Sequence, residues 1–367
     1  MSSKKKKIAI IDAAEYRTGA YKSITEYIKL LSSDFEFFLF FSKQLDDITS
    51  DSIHFVEFKY TRLKRTFVSI IKYPFALIKE TYKMHKLAKA NDIKIFHLND
   101  LFYLHGIFLR LMGYKVIYHI RLLPSSYIGN AYKAYIFITK IFANKVLVVS
   151  KYLRSYYGKK AIVIYDRIYF GEKAALYQLS ETTTDFMKVL VVGNYIRGKG
   201  HVHALKVVEM ALGKGFVGRL DFFGDDDSSE RDAFRYSLQK EVIIASLSKN
   251  IFLHSSCDSI EELYKSYDIL LNLSESESFS MVNLEAMYYG LATISANSEG
   301  PSEQIINNET GYLVEFDDYE KITDLLLTLQ KSPDKHREIS EKGKAHVEKK
   351  FFDEKYVNLL KKVYQEV

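Results

Sequence analysis

One local pattern, run twice, constrains this chain more than any other feature. Short apolar runs of strand length alternate with amphipathic stretches of helix length. The first series takes in residues 7–12, 35–41, 53–58, 94–98, 116–120, 145–149 and 161–165, and the second residues 188–193, 220–224, 250–254, 268–273, 292–296 and 314–316. Two successive βα series predict an α/β chain of two doubly wound, Rossmann-like domains. At 367 residues the chain is also too long for one ordinary core. The expected boundaries are residues 1–171 for the first domain, 172–186 for a linker, 187–350 for the second domain and 351–367 for a last helix. The linker is expected because Glu172–Phe186 (EKAALYQLSETTTDF) is polar and has no strand pattern.

Composition removes several function classes. A hydrophobic content of 47% is that of a globular protein, and the net charge of +6 does not call for a nucleic-acid partner. A single cysteine, Cys257, excludes an intramolecular disulfide and a cysteine-rich zinc site, and fits a reducing cytoplasm. The apolar run near the N-terminus is too short for a signal-peptide core. No apolar run is long enough to span a bilayer. The abundant Lys, with 28 Tyr, 25 Phe and no Trp, has the stamp of an AT-rich bacterial genome.

The chemistry concentrates in Asp268–Gly290, DILLNLSESESFSMVNLEAMYYG. An apolar strand (268–273) runs into a polar loop (274–279) and then a helix (280–289), with Gly290 where a helix-ending glycine belongs. Glu277 falls in the loop and Glu285 in the helix's second turn, with seven residues between them. The helix N-terminus between the two acids offers free N–H groups and partial positive charge, which suit a phosphate. A surface loop and an amphipathic helix of any α/β protein would look much the same from the acids alone.

This stretch resembles the acidic signature of the retaining glycosyltransferases of family 4, which have the GT-B fold. The family pattern, Glu-x-Phe-Gly, four residues, then Glu-Ala, stands here as Glu277-Ser278-Phe279-Ser280 and Glu285-Ala286-Met287. Ser280 replaces the usual glycine. The family's next strand, small-residue loop, Glu and Thr-Gly pair correspond to Ala292–Ala296, Gly300, Glu303 and Thr310-Gly311. In the loop Gly193–Gly200, Lys199-Gly200 resembles the Lys-Gly pair that holds the donor's diphosphate. Asn194 stands in the usual Arg position, and Arg197 is a candidate for the missing charge. Gly19-Ala20, after the first strand, stands where the family has a Gly-Gly pair; an ordinary βα turn is the alternative. No G-x-G-x-x-G is present, which weakens a dinucleotide oxidoreductase reading.

The resemblance implies a metal-independent hexosyltransferase with no cofactor beyond a nucleotide-diphosphate sugar as co-substrate. The acceptor would be a glycan or a lipid-linked glycan in bacterial surface polysaccharide or glycolipid synthesis. Lys199 and Arg197 would hold the diphosphate, with the backbone of Phe279, Ser280 and Met281 adding to the site. Glu277 would contact the sugar, Glu285 the ribose, and His119 would line the sugar pocket. Arg121 is a candidate for an acceptor's phosphate or acidic group. Gly19, His119, Arg121, Lys199, Glu277 and Glu285 all fall at or beyond C-terminal strand ends, the edge where open α/β sheets bind ligands. Two such edges facing a cleft, with the last helix returning to the first domain, complete the expectation. A catalytically silent nucleotide- or partner-binding homologue is the alternative, since Ser280, Ala20 and Asn194 all depart from the motif. A sugar-nucleotide epimerase would need a further acid/base group.

Two other clusters have competing readings. Asp225, Asp226 and Asp227 suit a hard cation, or else the N-terminal dipole of the helix that follows them; helix capping is the preferred reading. Between Lys59 and Lys94, ten Lys or Arg face two acids, with aromatic and aliphatic residues interleaved. Such a segment can lie on an anionic membrane surface, or can be a helix packed on the sheet with a solvated basic face. Pro74 is expected to kink or split it.

Overall fold

The computed structural model describes residues 5–15, 18–45, 50–61, 66–124, 131–168, 185–225, 228–257, 259–352 and 354–367. The expected linker lies outside them except for Asp185 and Phe186, as do Arg62, Lys64, Arg65, Asp226 and Asp227. The chain divides into two compact units, Met1–Tyr169 with Glu354–Val367, and Phe170–Asp353.

The first unit runs β1 (Lys6–Asp12), α1 (Gly19–Leu31), β2 (Phe35–Phe41), β3 (Ile53–Glu57), α2 (Phe67–Ala90), β4 (Ile95–Leu98), α3 (His105–Leu111), β5 (Lys115–Ile120), α4 (Ala131–Phe142), β6 (Lys145–Val148), α5 (Lys151–Tyr157) and β7 (Ile162–Val163). Its strands form one parallel sheet in the order β3-β2-β1-β4-β5-β6-β7. The central strands are continuous apolar runs because helices cover both faces; Ile8 to Ile11 are wholly buried. Pro74 lies in the second or third turn of α2 and does not split it.

The second unit runs β8 (Met187–Val192), α6 (His201–Gly213), β9 (Gly218–Phe223), α7 (Ser229–Ile244), β10 (Ile251–His254), α8 (Ile260–Lys265), β11 (Ile269–Asn272), α9 (Met281–Tyr288), β12 (Ala292–Ala296), α10 (Pro301–Gln304), β13 (Tyr312–Val314), α11 (Tyr319–Lys331) and α12 (Pro333–Phe351). Its sheet is β10-β9-β8-β11-β12-β13, again parallel. The closing strand is Tyr312–Val314, two residues earlier than the apolar run 314–316 suggests.

The last helix, α13 (Lys355–Glu366), belongs to the first unit. Leu360, Val363 and Tyr364 are buried in the same core cluster as Ile8, Phe35 and Phe37. The Tyr364 hydroxyl is 2.6 Å from His97 Nδ1 on β4. In both sheets the strand order reverses beside the first strand of the series, between β1 and β4 and between β8 and β11. That crevice, at the strands' C-terminal ends, is where a doubly wound sheet offers a site.

Candidate active site

In the second unit the loops flanking the reversal point are those after β8 and β11, and they carry Lys199 and Glu277. Lys199 Nζ donates to both oxygens of Glu277, at 3.0 and 2.8 Å. The two side chains are 31% and 18% exposed, so the pair sits at a half-open surface. Glu275 N donates to Gly198 O at 2.9 Å, tying one loop to the other. Two glycines permit this closeness. Gly200 has φ +80°, and a Cβ there would lie 2.4 Å from the Leu273 carbonyl carbon. A Cβ on Gly300 would lie 2.7 Å from the Phe279 backbone, and Gly300 N donates to Glu277 O at 2.8 Å.

The rest of the lysine loop is pinned from beneath. Tyr195 is wholly buried, and its hydroxyl donates to His254 O at 2.7 Å. His201 Nε2 lies 3.2 Å from Gly193 O, an acceptor only, so that nitrogen carries the proton. Burial lowers the His201 pKa to about 4, and the ring stays neutral. Asn194 is half-buried in the turn. Arg197 is exposed, with its guanidinium 5.8 Å from the Phe234 ring centroid on α7. Lys199 is therefore brought to Glu277, whereas Arg197 is directed to an aromatic ring.

Ser280, the departure from the family glycine, is the N-cap of α9. Its Oγ accepts from Asn283 N at 3.3 Å and from Asn272 Nδ2 at 3.0 Å. Asn272 Nδ2 also donates to Asn283 Oδ1 (2.8 Å), and Asn283 Nδ2 to Ser295 Oγ (3.0 Å). Gln304 Nε2 donates to Ser280 O at 2.8 Å. All five side chains are buried. This network joins the ends of β11 and β12 to the start of α9, and so fixes the backbone of Phe279, Ser280 and Met281. Asn272, Asn283 and Gln304 were not singled out from sequence; an isolated amide within an apolar run was the only signal for the two asparagines, and Gln304, in a polar stretch, gave none. Ser278 is half-buried, and Phe279 is buried with its ring on Phe351 at 5.8 Å.

Glu285 is buried in the second turn of α9, and its Oε2 accepts from the Tyr264 hydroxyl at 2.7 Å. Burial, with the Glu285 carboxylate beside it, raises the Tyr264 pKa well above the usual range and keeps it the donor. Asp225, the described member of the acidic triplet, pairs with Arg231 in the first turn of α7. No cluster of three metal-binding side chains occurs among the described residues.

In the first unit, Gly19 opens α1 and is exposed, with Thr18 as its N-cap. His119 and Arg121 lie at the end of β5, inside a buried polar network. Arg121 donates from Nε to Asn99 Oδ1 at 2.9 Å and from Nη1 to Asp166. Its Nη2 lies 3.4 Å from His119 Nδ1. The guanidinium is thus engaged internally. Burial lowers its pKa to about 10, so it keeps its charge. His119, expected to line a sugar pocket, has no exposed surface here. Burial, and then Arg121, hold its pKa well below the usual value, leaving it neutral. Asp100, in the loop after the adjacent strand β4, accepts from Arg121 N at 3.4 Å, and its pKa is raised to about 7, chiefly by burial.

Residues 178–346 match the model of the family described as glycosyl transferases group 1. A stretch of 110 residues is 36% identical to N-acetyl-alpha-D-glucosaminyl L-malate synthase of Bacillus anthracis, covering 30% of this chain and 29% of that protein. A stretch of 163 residues is 23% identical to poly(glycerol-phosphate) alpha-glucosyltransferase of Bacillus subtilis, covering 44% and 23%. The matched stretches thus take in less than a third of either relative. Among solved structures, HepE of Anabaena in complex with UDP and glucose has a TM-score of 0.80 at 13% identity, covering 99% of this chain and 100% of that one. That likeness shows the fold: two doubly wound units of the GT-B class.

Proposed function

We propose, for a chain whose residues 178–346 belong to the glycosyl transferases group 1 family, a retaining glycosyltransferase that draws on a nucleotide-diphosphate sugar. The acceptor is a glycan or a lipid-linked glycan of bacterial surface polysaccharide or glycolipid synthesis. The observation that carries this reading is the Lys199–Glu277 pair at the reversal point of the second sheet.

Lys199 exchanges Glu277 for the donor's diphosphate. As the glycosidic bond breaks, the leaving phosphate gains negative charge, and a fixed ammonium stabilises it in the transition state more than in the ground state. The N–H groups of Met281 and its neighbours at the start of α9 add to that stabilisation, since the Ser280 network holds them in place beforehand. Glu277, released from Lys199, accepts hydrogen bonds from sugar hydroxyls. Glu285, oriented by Tyr264, takes the ribose hydroxyls. Arg197 is free to swing from Phe234 to the phosphates. His119 and Arg121 brace the strand ends of the first unit from within.

The alpha descriptor in both relatives' names supports retention, because retention on an α-linked donor gives an α-linked product. HepE's bound UDP and glucose support a uridine nucleotide as the first donor to try. The chemistry needs no divalent cation, because Lys199 and the helix N-terminus supply the positive charge; transfer is expected to be unchanged in EDTA. The deciding experiment titrates UDP, GDP, ADP and TDP, then their sugars, against the wild type and Lys199→Ala. Selective binding of one nucleotide, lost in the variant, is the expected result. Binding of none by the wild type would replace the enzyme reading with a catalytically silent homologue.

A further inference from the structure

Helix α2 carries two apolar rows, and only one of them meets the protein. Leu77, Thr81, Met84 and Ala88, spaced four, three and four apart, are buried against the first unit. Val68, Ile71, Phe75, Ile78 and Tyr82, spaced three, four, three and four apart, form a second row that stays 48–72% exposed, with Phe75 the most exposed. At 3.6 residues per turn the second row lies roughly 130° round the helix from the first. The two rows hide each other in the sequence, where the segment reads as interleaved apolar and basic residues.

The exposed charges that α2 itself carries beside this row are all of one sign. Lys72, Lys79, Lys83 and Lys86 are exposed and run along the helix roughly 70° to one side of it. Lys86 Nζ sits 5.0 Å from the centroid of the Tyr82 ring. The single acid of α2, Glu80, points the other way: it is buried and accepts from His105 and Thr61. Monomeric surfaces scatter apolar residues singly; a continuous row with a basic border marks an interaction site.

We infer that this face of α2 is a docking surface for an anionic lipid bilayer, with the Val68–Tyr82 row sunk into the headgroup boundary and the lysines on the lipid phosphates. Charge and polarity together select this occupant. An apolar row bordered by lysines is the pattern of a helix lying in a membrane interface, and each lysine near an anionic surface adds about 1 kcal/mol, or roughly fivefold in binding. A second copy of the same face would bring more lysines and no exposed carboxylate of α2 to meet them. No described helix is long and apolar enough to cross a membrane, so the helix lies on the bilayer rather than through it. The Val68–Tyr82 row is roughly 20 Å long, enough to fix the angle at which the first unit meets a surface. The biological use of this contact rests on the lipid-linked acceptor proposed above.

The test is co-sedimentation of the full chain with vesicles of phosphatidylcholine alone and of phosphatidylglycerol and phosphatidylcholine at one to three. Two variants accompany it: Phe75→Asp/Ile78→Asp, and Lys72→Gln/Lys79→Gln/Lys83→Gln. The wild type is expected to bind the anionic vesicles and to release them as salt rises. The first variant should bind at least tenfold more weakly, and the second roughly a hundredfold more weakly, with nucleotide affinity and melting temperature unchanged in both. Equal binding to neutral vesicles, or full binding by either variant, would overturn the inference. So would sedimentation velocity showing a dimer that Phe75→Asp abolishes, without vesicle binding by the wild type. Nucleotide affinity is measured on the same samples, so loss of the lipid contact and loss of the enzyme reading give separate signals.

Discussion

Replacing Glu277 with glutamine is expected to tighten binding of the nucleoside diphosphate while loosening binding of the nucleotide sugar. The Lys199 ammonium already donates two hydrogen bonds to Glu277, at 3.0 and 2.8 Å. A diphosphate must displace that carboxylate. The pair is 31% and 18% exposed, so solvent screens it in part. An exposed ion pair contributes roughly 0.2–1 kcal/mol, and the more shielded partner here puts the value near the upper end, about 1 kcal/mol. Glu277→Gln should therefore bind the diphosphate roughly fivefold more tightly, and loss of carboxylate–phosphate repulsion adds to this. The nucleotide sugar behaves differently, because it also loses a hydrogen bond to a charged acceptor, about 1.5–3 kcal/mol. The ratio of the two dissociation constants should shift by roughly tenfold or more. Isothermal titration of both ligands against wild type and variant, at low and high salt, reads this directly. The diphosphate gain should shrink as salt rises. A variant that binds the diphosphate no better at low salt, or shifts both ligands alike, would refute the exchange of partners at Lys199.

Three further outcomes follow from the geometry. Asn283→Ala removes bonds to Asn272 and Ser295 and strips a partner from buried Gln304; the second unit should lose about 3 kcal/mol or more, seen as an earlier urea transition, whereas an unchanged midpoint would mean the network is slack. Gly200→Ala combines φ +80° with a Cβ 2.4 Å from the Leu273 carbonyl carbon; it should yield mostly insoluble protein, and a soluble variant with normal nucleotide affinity would show that the two loops can part freely. His201, whose folded pKa is lowered to about 4 by burial, binds its proton more readily when unfolded. Its stabilisation is therefore complete above the unfolded value of about 6.5 and is lost as pH falls from there toward 4; His201→Gln should flatten the stability curve of the second unit over that interval, and an unaltered slope would contradict the assignment.

The alternation of apolar runs was legible because each central strand is buried on both faces, so Ile8 to Ile11 or Ile269 to Leu271 carry no polar interruption. Helices α5 and α10, of seven and four residues, were not anticipated, for they are too short to show a period. The acids and Lys199 were legible by their spacing from strand ends, but their contact joins residues 78 apart and needed the two loops in place. Ser280 looked like a defect in a motif. Its role as helix cap depends on Asn272 and Asn283, which are significant only once β11 and α9 are side by side. Arg121 illustrates the converse: its position at a strand end was read correctly, but Asn99 and Asp166, far off in sequence, claim its donors.

The attachment of α13 has a consequence for how the chain comes off the ribosome. Leu360, Val363 and Tyr364 fill the core beside Phe35 and Phe37, yet they emerge only after all of residues 170–353 have been made. At a synthesis rate of roughly 5–20 residues per second that interval is roughly 10–40 s. The second unit can close as soon as its own strands are out, while the first waits with an apolar groove open along β2. The portion of the chain made first is thus completed last, and during that interval it is a natural client for a chaperone that shields apolar surface.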